Sequence, residues 1–126
     1  MTSERNIPGS RSACPIACSL DLLGDKWTLL IVRDLMNGKR RFADFETSPE
    51  GIPTNTLSER LRRMEINSMI EKVQYAQHPP RFEYYLTKKG KALLPVLNEL
   101  CRWANQHVPG TCQPQELLPR KADKQS

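Results

Sequence analysis

The sequence predicts a mainly α-helical domain that carries one small β-hairpin, and three observations predict it. Segments beginning at Pro15, Asp25, Phe42, Asn55 and Thr87 space their apolar residues as helices do. Between the fourth and fifth of these, Met69–Tyr75 and Phe82–Leu86 are rich in β-branched and aromatic residues and flank the turn-forming stretch AQHPPR. The chain of 126 residues, 38% hydrophobic and 26% charged, suffices for one packed core and leaves no room for two.

In chain order, residues 1–13 are polar, with Gly and Pro and no periodicity, and are expected to form a flexible arm. Pro15 suits the first position of a helix, Ile16, Leu20 and Leu23 share one face, and Gly24 is a stop. Asp25 is placed to cap a second helix that is apolar on nearly all sides, from Trp27 to Met36, and so belongs in the core; Asn37 and Gly38 end it. Lys39, Arg40 and Arg41 make a basic patch, either a phosphate contact or, as is commoner at a helix boundary, a solvated turn, before a brief third helix begun by Phe42, Ala43 and Phe45 and ended near Ser48 and Pro49.

The fourth helix is expected from Asn55, with Thr54 as its N-cap and Pro53 holding the entry extended. Leu57, Leu61 and Met64 form its inner face. Asn55, Thr56, Ser58, Glu59, Arg62 and Arg63 form the outer one, which suits a DNA groove: short polar groups near a helix N-terminus reach base edges, and Arg grips guanine or phosphate with two donors. Such a face also serves a merely solvated helix. A short helix anchored by aromatics followed by an amphipathic one is a helix-turn-helix. The hairpin after it is then a wing, with Lys72, His78 and Arg81 on or near its tip. Pro79 and Pro80 argue for a longer, irregular loop in that hairpin.

Thr87 is placed to cap a last helix reaching His107, with Pro95 predicting a bend near Lys91 to Leu94 and no break. Leu93, Val96, Leu97, Leu100 and Ala104 form its main face, and Leu94 and Trp103 widen the apolar arc beyond what so small a domain covers. This implies a homodimer through this helix and the one starting at Pro15. The domain is therefore set at 14–108, with dimerisation helices at both ends and a flexible Pro-rich tail over 109–126.

The same residues exclude several classes of function. No serine with a paired His and Asp, no Gly-rich phosphate loop and no HExxH motif points to an enzyme. The N-terminus lacks the apolar core of a secretory signal and no run is long enough to span a membrane, which places the chain in the cytoplasm. Cys14, Cys18, Cys101 and Cys112 are expected as thiols there, and their spacing with His78 and His107 fits no zinc site. No metal or cofactor is expected. Trp27 and Trp103 are the aromatics a ligand pocket would use, although on apolar faces they read as core. The formal charge of +5 favours a polyanionic partner.

These motifs resemble the HxlR family of winged helix-turn-helix transcriptional regulators. The likeness spans Cys14 to His107 and rests on Cys14-Pro15, LDLLGDKWTLLIVRDL, RRFADF, RLR at Arg60 to Arg62, and PPRFEYYLTKKGKALLPVL. The resemblance implies a homodimer whose first and last helices pack across a two-fold axis, on a double-stranded DNA operator that is pseudo-palindromic. It implies that Thr54, Asn55, Thr56, Ser58, Glu59 and Arg62 read DNA, with Arg81 in the wing; Arg63, His78 and Lys39 to Arg41 lie where phosphates would. Two departures stand out. Asn67 and Ser68 replace the usual Gly-containing pair, so one of them adopts the left-handed conformation. Ile66 falls near the polar face, so either the helix ends before it or it meets the wing.

Cys14 precedes Pro15 at a helix start, where unpaired N–H groups and the helix dipole favour a thiolate. The resemblance implies that this position senses oxidants or small electrophiles such as quinones and aldehydes. A small buried residue is the alternative. Cys101, across the expected dimer, is the better disulfide partner, with Cys112 in the tail and Cys18 one turn away as others.

Overall fold

The computed structural model describes residues 11–112. The expected arm and tail therefore lie mostly outside the described residues. The elements run α1 (Pro15–Leu23), α2 (Thr28–Met36), α3 (Phe42–Glu46), α4 (Thr54–Ile66), β1 (Ile70–Gln77), β2 (Pro80–Leu86), α5 (Lys88–Lys91) and α6 (Leu94–His107). This is a winged helix-turn-helix: helices around one core, with a two-stranded antiparallel sheet beside them.

The core forms where the apolar faces converge. Ile31, Val32 and Leu35 of α2 meet Phe45 of α3, Leu57, Leu61 and Met64 of α4, Met69 and Ile70 at the start of the hairpin, and Leu97 of α6. The cap position of α2 falls to Trp27 and not to Asp25, but Asp25, two residues earlier, still takes up N–H groups at the helix start. Its carboxylate accepts from the backbone N–H groups of Trp27 and Thr28 at 2.7 and 2.8 Å and from the Thr28 hydroxyl at 2.6 Å. Burial opposes ionisation of Asp25, but the Thr28 and Trp27 hydrogen bonds outweigh it and hold the carboxyl below its usual range.

Several sequence expectations are corrected. Thr54 is the first residue of α4, not its cap; Pro53 takes the cap position and the Thr54 hydroxyl donates to Glu46 at 2.8 Å. The helix continues through Ile66, which is 65% exposed and neither follows the helix end nor packs on the wing. At its close Ser68 is the left-handed residue (φ 62°), with Met69 N–H on the Met64 carbonyl and Ser68 N–H on that of Glu65. That bonding pair satisfies the end carbonyls without a glycine.

The hairpin is tighter than its prolines suggested. The strands extend to Gln77 and Pro80, leaving His78 and Pro79, joined by a cis peptide bond, as the turn. Register runs from Ile70 opposite Leu86 to Gln77 opposite Pro80, with Tyr75 bulged out between Gln74 and Ala76. The last helix is broken, not bent. Thr87 caps α5, its hydroxyl accepting from Gly90 N–H at 3.1 Å, and Pro95 then stands in the first turn of a separate α6. A proline lacks the N–H that would continue the earlier turn, so the chain restarts the helix where that donor is not needed.

Candidate nucleic-acid interface

Two polar networks frame the site, one holding the segment that leads into α4 and the other tying α2 and α3 to the wing. Arg33 and Asp34 are adjacent on the otherwise apolar α2, with side chains only 11% and 8% exposed. Arg33 donates to Asp34 Oδ1 from Nε and Nη2 (3.1 and 2.9 Å) and to both oxygens of Glu50 (2.8 and 2.9 Å). Asp34 Oδ2 accepts from the Ser48 hydroxyl, whose oxygen accepts from Lys39 Nζ at 2.8 Å. Glu50, hydrogen-bonded to Arg33, is held below the usual carboxylate range despite partial burial. Ser48 and Glu50 belong to the segment joining α3 to α4, so this network fixes the path into α4. The sequence signal for it was a pair of opposite charges inside an apolar helix, which burial leaves needing partners.

The second network uses the basic patch. Arg40 Nη1 donates to the Leu35 and Lys39 carbonyls (3.0 and 2.9 Å), and its guanidinium lies 4.8 Å from the Tyr85 ring centre. Arg41 donates to Glu83 at 3.0 Å and sits 4.1 Å from the Tyr75 ring centre. Glu83 is stabilised as a carboxylate by the Tyr85 hydroxyl and then by Arg41. The Arg40 carbonyl also accepts from Tyr84 N–H at 2.8 Å. Lys39, Arg40 and Arg41 are thus engaged in joining α2, α3 and the wing, a role that sequence reasoning missed.

The outer face of α4 is differently built. Asn55, Ser58 and Arg62 are exposed and Thr56 half-buried, and among the described residues no side-chain partner engages them. Glu59 is shared between Arg60 and Arg63, the latter at 3.1 Å. Arg60 turns back toward Asp25, its Nε 3.2 Å from Oδ2, and Arg63 is within 4.0 Å of the same oxygen. Arg62 is therefore the guanidinium on this helix that no carboxylate holds. In the wing, His78 and Arg81 are exposed, and Lys72 Nζ lies 4.4 Å from the Phe82 ring centre. Arg81 lines a cleft of about 610 Å³ between the wing and α3, shared with Arg41, Asp44, Glu46 and Tyr75. The arrangement offers hydrogen-bond donors and acceptors on α4 beside a cationic wing.

The four cysteines are free thiols. Cys14 is exposed in the single chain, immediately before α1, its backbone N–H on the Ser12 hydroxyl at 3.2 Å. Cys18 directs its thiol to the Ser12 carbonyl at 3.3 Å. Cys101 and Cys112 line one groove. The tryptophans share no pocket: Trp103 is 60% exposed, and Trp27 borders a void of about 10 Å³, too small for a ligand. Ile16, Leu20, Val96, Leu100 and Trp103 are all more than 40% exposed, leaving α1 and α6 with uncovered apolar faces. Among the described residues no helix is long and apolar enough to cross a membrane.

Comparison with known proteins places this architecture. A family described as HxlR-like helix-turn-helix matches residues 22–111. The HTH-type transcriptional regulator YvaP of Bacillus subtilis is 38% identical over 90 residues, covering 71% of this chain and 83% of that protein. The reduced form of the transcriptional regulator YodB from B. subtilis superposes with a TM-score of 0.65 at 33% identity, over 80% of this chain and 100% of that one. The redox regulator HypR in its oxidised form gives 0.67 at 31% identity, over 75% and 97%.

Proposed function

This chain belongs to the HxlR-like helix-turn-helix family of transcriptional regulators, and from that premise we propose that it is a repressor that binds a pseudo-palindromic operator as a homodimer. The observation that carries the reading is the contrast between cations: those of the 39–41 patch are each held by partners within the chain, whereas Arg62 on α4 and Arg81 on the wing are held by no carboxylate. Thr54, Asn55, Thr56, Ser58 and Glu59 lie along the first turns of α4, where a helix entering the major groove presents its side chains to base edges. Arg62 and Arg63 follow them, and Arg81 and His78 reach the adjacent backbone from the wing. Lys39, Arg40 and Arg41 contribute positive potential from behind, and their main task is to hold the wing.

The uncovered apolar faces of α1 and α6 support the dimer, since Leu20 and Leu100, about half exposed, gain roughly 0.8–1.5 kcal/mol each on covering what remains open. Exposed Cys14 at the head of α1 is the point at which oxidants or electrophiles act, a reading supported by the likeness to regulators described as a redox regulator and as a reduced form. Its modification shifts α1 in the dimer and lowers operator affinity.

Footprinting on fragments captured from genomic DNA tests the first part. Two protected half-sites related by a two-fold axis and separated by about 10 bp or a multiple are expected. Protection without two-fold character would overturn the dimeric reading, and no retained DNA at all would favour a winged-helix module that binds protein instead. Gel shifts with diamide or a quinone, on the natural protein and on Cys14→Ser, test the second: equal responses, or none from either, remove Cys14.

A further inference from the structure

We propose that Cys101 and Cys112 form a dithiol pair within one subunit, which a hydroperoxide converts to an intrachain disulfide. Cys101 and Cys112 both line a groove of about 460 Å³, together with Leu29, Leu30 and Leu97. Their juxtaposition is built. After α6 the chain reverses at Gly110 (φ 87°), a left-handed position that favours glycine. Asn105, one turn beyond Cys101 on α6, then donates from Nδ2 both to Thr111 Oγ1 and to the Cys112 carbonyl, each at 2.8 Å. The Thr111 hydroxyl lies 3.2 Å from the Val108 carbonyl and 3.4 Å from that of Ala104. The segment carrying Cys112 is thereby laid back along α6, toward Cys101.

The two thiols differ in a way that orders the chemistry. Burial, and then the charge of the neighbouring Cys112, push the Cys101 thiol above its ordinary range, while Cys112 is exposed. Cys112 meets the oxidant first: its thiolate attacks one peroxide oxygen, the O–O bond breaks, and the alcohol or water leaves with a proton, giving a sulfenic acid. Cys101 then attacks that sulfur as its thiolate and expels the oxygen as water. In sum two thiols and one hydroperoxide give one disulfide, one alcohol and one water, the thiols supplying both electrons. The pair spans a turn inside one chain, so it competes with any bond from Cys101 to a second copy, and it stands whether or not the DNA-binding reading holds.

The full chain, reduced and then treated with hydrogen peroxide, is alkylated and digested with trypsin without reduction. Because Arg102 separates the two cysteines, the bond would link peptides 92–102 and 103–120. The expected result is that linked pair, with migration of a single chain on a non-reducing gel. In Cys112→Ser the link should vanish, and in Cys101→Ser dimedone should label Cys112, with circular dichroism confirming that both variants fold. Retention of both thiols, a bond from Cys101 to Cys14, or a covalent dimer through Cys112 would each overturn the proposal.

Discussion

Replacing Asp34 tests how the path into α4 is held. Its carboxylate is almost fully buried and accepts two hydrogen bonds from Arg33 and one from Ser48. Asp34→Ala removes the carboxylate and leaves the Arg33 guanidinium, itself only 11% exposed, with Glu50 as its remaining anion and the Ser48 hydroxyl without an acceptor. Breaking a buried pair on one side costs about 3–5 kcal/mol, and because Glu50 still answers Arg33 the lower figure, about 3 kcal/mol, is expected. With a urea dependence of about 1–2 kcal/mol/M, the unfolding midpoint falls by about 1.5–3 M. Asp34→Asn keeps an oxygen for Ser48 and loses the charge, so it should fall between the two. A loss under about 1 kcal/mol for Asp34→Ala would refute the reasoning, because it would show that the pair is solvated enough to be dispensable.

Gly90→Ala places a Cβ 2.3 Å from the Met69 carbonyl oxygen, so it should destabilise by about 1–3 kcal/mol or more in the same urea titration; an unchanged midpoint would show that α5 moves freely against the base of the hairpin. Asp25, Asp44 and Glu50 have carboxyls held below their usual values in the fold, so the stability they confer is complete above about pH 5 and is lost as pH falls through their folded values; the natural protein's urea midpoint should drop there, and that of Asp25→Asn should drop less. Trp103→Glu, on an exposed position of α6, should leave the circular dichroism spectrum unchanged and convert a sedimenting dimer to monomer, whereas an unaltered dimer would move the interface elsewhere.

Much of this architecture is legible in the sequence because it is local. The inward row Leu57, Leu61 and Met64, the Asp25 hydrogen bonds to the start of α2 and the cap at Thr87 depend on residues within a turn or two of one another. What stays hidden depends on distant partners. Arg41 and Glu83 lie 42 positions apart, so a patch that reads as a phosphate contact or a solvated turn gives no sign that it also fastens the wing. The broken last helix shows a local rule misweighed: the unbroken apolar pattern across Pro95 suggested continuity, while the missing N–H decided for a restart. Ile66 remains exposed although both sequence readings gave it a reason to be elsewhere. For the candidate site, the exposure of Asn55, Ser58, Glu59 and Arg62 on α4 was readable from helical spacing, while Thr56 and Arg63 are only half-exposed. Which arginine of α4 is uncommitted was not readable, because Arg60 and Arg63 are drawn off by Asp25 and Glu59.

The measurement closest to the central claim is the salt dependence of affinity for a captured operator duplex, followed by fluorescence anisotropy, for the natural chain, Arg62→Ala, Arg81→Ala and a variant with Asn55, Thr56, Arg62 and Arg81 all replaced by Ala. Each phosphate contact releases about 0.9 counterion, so Arg81→Ala should weaken binding to all duplexes and lower the slope of log K against log salt by about that amount per subunit. If Arg62 reads a base, Arg62→Ala costs about 1–3 kcal/mol on the operator and less on unrelated DNA. The fourfold variant, exposed at nearly every changed position and so expected to unfold at the natural midpoint, should lose operator preference altogether. Undiminished affinity and slope in that variant would contradict the assignment of α4 and the wing as the DNA-binding surface.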